Sequence, residues 1–175
     1  MTPRPLRDVK IWSPVVRWEN RPNGEIIVWR EDPLGPYPDK INERLVHWAK
    51  TVPDRVWIAE ALRHVRAIGQ FLLDHGLSLE KPLIILSENS IEHALMALGA
   101  QHVGIPSAAL APAYATVSTD YSKLRDIAGQ ITPGMVFADD GAVFRQPVDA
   151  AFGPGMAFAA AWNVPEDRAN VFDFE

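Results

Sequence analysis

The chain has no cysteine among its 175 residues, which excludes disulfides, thiol nucleophiles, zinc knuckles and thioredoxin-type redox chemistry. A basic excess is also lacking: 17 Lys and Arg stand against 22 Asp and Glu, for a net charge of −5. Divided at Glu60, the first part carries 10 basic and 9 acidic residues and the remainder 7 and 13. Neither part has the positive surplus that binding a phosphate backbone needs, so nucleic acid is not an expected partner. Met1-Thr2-Pro3-Arg4-Pro5-Leu6-Arg7-Asp8 contains no apolar h-region and does not read as a signal peptide. The longest nearly uncharged stretch, Val103 to Thr119, is broken by Gly104, Pro106 and Pro112 and cannot form a transmembrane helix. No membrane association is expected, and a cytoplasmic protein is the default. Internal repeats and low-complexity tracts are absent too.

What remains is the composition of an ordinary folded protein, 47% apolar and 22% charged. Chains of this length usually form one domain and bury roughly 70% of their unfolded surface. Five of the six tryptophans precede residue 58, and prolines cluster at Pro33, Pro36 and Pro38. Val15–Glu19 and Glu25–Arg30 read as strands around the turn chemistry of Asn20-Arg21-Pro22-Asn23-Gly24. Residues 1–40 are thus expected to be a β-hairpin arm followed by a proline-stiffened linker.

From Ile41 the pattern becomes alternating helices and strands. Ile41, Leu45 and Trp48 share a helical stripe over Ile41–Lys50, and Arg55–Ala59 reads as a short strand. Leu62, Val65, Ile68 and Leu72 mark an amphipathic helix over Ala61–His75, closed by Gly76. Pro82–Leu86 is a continuous apolar run, as buried parallel strands are. Ser90 can cap a helix from Ile91 to about Val103, and Gly104 closes it. Ser107–Leu110 reads as a strand, Thr119 or Asp120 as the start of a helix through Ile131, and Met135–Ala138 as a strand ended by Asp139-Asp140-Gly141. These repeating units predict an α/β fold: a doubly wound, mainly parallel sheet with helices on both faces, preceded by the hairpin arm. The α/β region takes residues 41–145. Residues 146–175 read as the start of a following region, whose abrupt end on Val171-Phe172-Asp173-Phe174-Glu175 suggests truncation. One junction is short: the strand ending at Ala59 meets the helix at Ala61 with only Glu60 between, where about 2–6 residues with turn chemistry are usual. This predicts that a segment is missing there.

Few residues carry chemistry. Neither G-x-G-x-x-G nor G-x-x-x-x-G-K-[ST] occurs. His93 and His102 fall on opposite faces of one helix and are expected to be one partly buried, one exposed side chain rather than metal ligands. His75 suits the last turn of its helix through the dipole. Asp139-Asp140 follows a strand, where doubly wound sheets place ligands. A paired-carboxylate Mg²⁺ site is the sharp reading there; a polar turn is the plainer one and outweighs it. Ser87-Glu88-Asn89-Ser90 opens a helix where backbone N–H groups can meet an anion, though cap and turn chemistry accounts for it as well. Tyr114, in the Ala111-Pro112-Ala113-Tyr114 loop on the same edge, can face a ligand or pack on its loop. From the residues alone the reading stops at a soluble α/β domain with a small-molecule edge and no complete active site.

The segment LSENSIEHALMALGAQHVGIPSAALAPAY, from Leu86 to Tyr114, resembles the N-terminal subdomain of the acyl-adenylate-forming enzymes, which include acyl-CoA and aryl-CoA synthetases and luciferase. It is most similar to the bacterial feruloyl-CoA synthetases. ERLVHWAKTVPDRVWIAE, SKLRDIAGQITPGMVFADDGAVF and, less closely, Ile11-Trp12-Ser13-Pro14 extend the resemblance. The likeness is good over roughly residues 40–145. It implies a longer enzyme of which this chain is the first part, because the family's Ser/Thr/Gly-rich ATP loop, ribose-binding aspartate and C-terminal catalytic lysine are not found in it. It also implies a loop, a strand and a Thr-Tyr-containing turn in the place of the short junction at Glu60.

In such an enzyme the acid's carboxylate attacks the α-phosphate of Mg²⁺-ATP, giving an acyl-adenylate and pyrophosphate, and CoA thiolate then displaces AMP. The implied cofactors are therefore ATP, Mg²⁺ and CoA, and the implied partners are an aromatic carboxylic acid such as ferulate and the remainder of the same polypeptide. By the same resemblance Ala113 and Tyr114 belong to a CoA-side loop, although Ala113 stands where some relatives have an arginine. Ser87 and Asn89 are the candidates on the substrate side, and no catalytic residue carries over. A fragment of such a sheet should expose apolar surface and aggregate or dimerise; a homodimer is thus compatible with the sequence. Two alternatives stay open: a stand-alone, non-catalytic α/β ligand-binding or interaction domain, or a ligase for coumarate, benzoate or a fatty acid.

Overall fold

Leu83-Ile84-Ile85-Leu86 is apolar at every position because both faces of its sheet are covered, and all four side chains are fully buried. The structure is a computed structural model and describes residues 15–33, 35–40, 42–166 and 171–173. It forms two compact units, residues 1–38 and 39–175.

The first unit is the expected hairpin. Strands β1 (Val16–Asn20) and β2 (Ile26–Arg30) pair antiparallel, with Trp18 opposite Val28. Gly24 turns the chain at φ +84°, a conformation that costs a side-chain-bearing residue energy. The Arg17–Glu31 ion pair and the Asn23 side chain, which accepts the Glu25 N–H, hold the ends. The Ile11–Pro14 segment lies outside the described residues.

The second unit contains helices α1 (Glu43–Thr51) and α2 (Val56–Asp74), then strand β3 (Leu83–Leu86) and helix α3 (Ile91–His102). Strand β4 (Ser107–Leu110), the one-turn helix α4 (Ala113–Thr116), helix α5 (Ser122–Ile131) and strand β5 (Met135–Asp140) follow. Helix α6 (Gly141–Phe152) and strands β6 (Phe158–Trp162) and β7 (Val171–Asp173) complete it. The five strands run in the order β4-β3-β5-β6-β7, and every neighbouring pair is parallel. This is the expected α/β architecture.

Successive side chains of a strand point to opposite faces, and the two cores show it. Leu83, Ile85, Met135, Phe137, Ala159 and Ala161 pack with Ile68 and Leu72 of α2 and Met96 and Ala100 of α3. Ile84, Leu86, Val136, Ala138, Phe158 and Ala160 pack on the other face with Leu124 of α5 and Phe144 and Val148 of α6. Burying a side chain such as Phe137 or Phe158 contributes about 1.5–3 kcal/mol. On the first face α2 and α3 cross at two glycines. A Cβ on Gly99 would lie 2.4 Å from Ile68 Cγ2, and one on Gly69 would lie 2.7 Å from Val103 Cγ1.

Four expectations are corrected. Arg55–Ala59 is no strand: α2 begins at Val56 and runs unbroken through Glu60. A continuous helix needs no connection at that point, so the short junction no longer points to a missing segment there. The helix expected from Thr119 or Asp120 starts at Ser122, because Tyr121 adopts a left-handed conformation at φ 51°. Ala113 and Tyr114 form the first turn of α4 rather than an irregular loop. Asp139 and Asp140 end β5 instead of following it, and the chain turns directly into α6, which crosses residue 145 with Pro147 inside it.

Candidate functional site

The connection after β3, through α3, lies on one face of the sheet, while that after β5, through α6, lies on the other. Such a change of side opens a crevice at the carboxyl ends of the two strands, where doubly wound sheets bind ligands. Ser87–Ser90 and Asp139–Gly141 border it, and Ala111–Tyr114 follows β4 on the same edge.

Most polar groups on this edge already serve the fold. Ser87 is 2% exposed and its hydroxyl donates to the Glu88 carbonyl at 2.9 Å. Ser90 caps α3, accepting the His93 N–H at 3.0 Å, and His93 Nδ1 lies 3.2 Å from the Glu88 carbonyl oxygen, so that nitrogen carries the proton. Asp139 is buried, and its Oδ1 accepts the Asp140 N–H. Asp140 caps α6 through Oδ1, accepting from Ala142 N and Val143 N, while Oδ2 accepts from the Asn163 side chain. The plainer reading of Asp139-Asp140 is therefore the structural one: a helix cap. Among the described residues no three His, Asp or Glu side chains gather as metal ligands.

The candidate residues separate. Ser87 is turned into its own loop, whereas Asn89 is exposed and lines an open cleft of about 750 Å³ between α1, α2 and the start of α3. Leu45, Ile91, Leu95 and Leu98 give that cleft an apolar wall, and Glu60, His64 and His93 stand around it. Its size and lining are those of a small-molecule site. The sequence reading missed this cleft. Its one visible signal was Glu60 and His64 four residues apart, which places them on one face of a helix, and the assigned strand at Arg55–Ala59 hid it. Ala113 and Tyr114 are both exposed, and the Tyr114 N–H donates to the Ala111 carbonyl at 3.0 Å. His93 and His102 are both half-buried, not one partly buried and one exposed. His75 follows α2, with Nδ1 2.7 Å from the Phe71 carbonyl oxygen in its last turn.

Ser87–Ser90, Ala111–Tyr114 and Asp139–Gly141 contain no lysine or arginine, and the Asp140 carboxylate is engaged at both oxygens. These residues do not supply the cationic clamp that transferring phosphate charge requires.

No family model and no curated protein matches the chain. Solved structures do. VinN superposes with a TM-score of 0.60 at 17% identity, over 71% of this chain and 32% of VinN. A Rhodopseudomonas palustris CGA009 protein assigned as a long-chain-fatty-acid CoA ligase superposes with a TM-score of 0.61 at 16% identity, over 77% of this chain and 35% of the other. The chain thus matches about a third of the length of either structure. At these identities the likeness is one of fold: the parallel α/β arrangement of this chain is shared with VinN and with a protein assigned as a CoA ligase.

Proposed function

We propose that the complete protein is an AMP-forming acid–thiol ligase and that this chain supplies its first α/β subdomain. The observation that carries the reading is the coincidence of two likenesses. The backbone follows a protein assigned as a CoA ligase over 77% of the chain, and the segment from Leu86 to Tyr114 resembles the acyl-adenylate-forming enzymes. The preferred acid is aromatic, ferulate first, on the resemblance to the feruloyl branch, and the reaction consumes ATP and CoA with Mg²⁺. Asn89 is the better substrate-side candidate because it is exposed on the strand-end edge, while Ser87 supports the loop beneath it. The exposed Ala113 and Tyr114 are offered for the CoA side. Because the edge lacks a phosphate clamp, the chain alone is proposed to be inactive and its partner to be the remainder of its own polypeptide. A cytoplasmic location is part of the proposal; no described helix is long and apolar enough to cross a membrane.

The test is ferulate-dependent exchange of pyrophosphate into ATP by the intact source protein. Exchange with ferulate, followed by thioester formation when CoA is added, is the expected outcome. Exchange with a fatty acid alone would move the substrate assignment, and none with any acid would end the ligase reading. A second reading, a non-catalytic ligand-binding domain, draws on the apolar cleft beside Asn89. Saturable binding of an aromatic acid by the chain alone, lost in Leu98→Lys, would favour it.

A further inference from the structure

At the opposite end of α3 from Ser87–Ser90 lies a second cleft, of about 470 Å³, with a different chemistry. Lys40, Lys50, His47 and His102 line it, with Asn42 at its base and Glu43 as its one acidic residue. Glu43 is engaged, since its Oε1 accepts the Lys40 N–H at 3.2 Å. Among the described residues neither lysine ammonium has a carboxylate partner within ion-pair distance.

The base of the cleft is built rather than incidental. Asn42 is only 4% exposed, and its Nδ2 lies 2.9 Å from His102 Nδ1. An amide nitrogen can only donate, so Nδ1 accepts and the proton of the neutral ring resides on Nε2. His102 is thereby fixed as a donor at the nitrogen Asn42 does not engage. Two ammonium groups around one concavity repel one another without an anion, and a multiply charged oxyanion would accept from both and from the imidazole N–H groups beside them. Lys40 precedes α1 and Lys50 lies in its last turn, so the two lysines stand toward opposite ends of a 9-residue helix, which is about 14 Å long at 1.5 Å per residue. That reach suits an elongated anion better than a single tetrahedral one.

We propose that this cleft binds a small, elongated oxyanion carrying two or more negative charges. The site is independent of the strand-end edge and of the ligase reading.

The experiment titrates the full chain, isotopically labelled in its histidines, with sodium pyrophosphate, inorganic phosphate and citrate while imidazole resonances and binding heat are followed. Saturable binding should shift His47 and His102 and leave His93, at the other end of α3, unmoved. Pyrophosphate tighter than citrate identifies a phosphoryl ligand, and the reverse order a polycarboxylate. The Lys40→Gln/Lys50→Gln variant should bind about tenfold more weakly, from the loss of two exposed charge pairs, while Lys123→Gln should match the parent. Thermal melts of both variants check that the fold is retained. Unchanged affinity in the folded double variant, or binding that leaves His47 and His102 unshifted, overturns the proposal.

Discussion

Asp140 and Asn163 are joined side chain to side chain at 3.1 Å, linking the residue that ends β5 to the one that follows β6. The same carboxylate caps α6 through its other oxygen. Asp140→Ala removes both roles and should destabilise the protein by about 1–2 kcal/mol. Asp140→Asn keeps an oxygen for the cap and should cost less. Urea unfolding midpoints rank the two against the parent; an Asp140→Ala midpoint equal to the parent's would show that the Asn163 link and the cap contribute nothing.

Glycine-to-alanine exchanges should change sign with position. Within a helix the exchange ordinarily gains about 0.5–1 kcal/mol. At Gly129 on α5 a Cβ meets nothing within 4 Å, so Gly129→Ala should stabilise by that amount. At Gly99 the new Cβ would meet both Ile68 Cγ2 and Ile68 Cβ below 3.0 Å. Forcing α2 from α3 costs about 1–3 kcal/mol, and Gly99→Ala should destabilise. Paired thermal melts decide it.

The entry to α5 should respond to acid. Backbone hydrogen bonding from Ser122 holds the Asp120 carboxyl below the ordinary aspartate value, helped by the Ser118 and Ser122 side chains and, less, by Arg125. A depressed folded-state value means the ionised form is preferred in the fold. Its stabilisation is therefore present above the unfolded value and is lost as pH falls through the folded one. The Ser122 amide resonance should titrate with a midpoint below that of a free aspartate, and Asp120→Asn should abolish the step.

Ser90 supports one wall of the apolar cleft through the start of α3. Ser90→Ala should cost about 1 kcal/mol and speed amide exchange at His93, whose N–H it caps. Ser90→Thr should restore most of both. Exchange at His93 unaltered by the alanine change would refute the cap's contribution.

Where sequence signals agreed, the fold was legible. Ser107–Leu110 and the α3 cap at Ser90 appear as expected, because apolar continuity, cap chemistry and Gly104 all point one way. Val56-Trp57-Ile58 misled because β-branched and aromatic residues favour strands locally, while Pro53-Asp54 just before them is as good a start for α2 as an end for α1. Helix α6 was hidden by Pro147, an interior proline that costs about 3 kcal/mol in an isolated helix. Here Pro147 and its neighbour Val148 are buried, and Val148 packs in the second core. The left-handed Tyr121 leaves no mark in composition, since only glycine advertises that conformation. Both clefts depend on which faces of α1, α2 and α3 meet, and spacing along a single helix carries no such information.

The strand order has a consequence for biogenesis. β3 is the first of the five strands to be synthesised, yet it sits between β4 and β5. Its four apolar residues gain one set of partners when Ser107–Leu110 arrives and the other only when Met135–Phe137 does. Parallel pairings close long loops and form slowly. A nascent chain therefore carries Leu83–Leu86 with an unmet edge until Met135–Phe137 has been made, and that interval is when it most needs a chaperone.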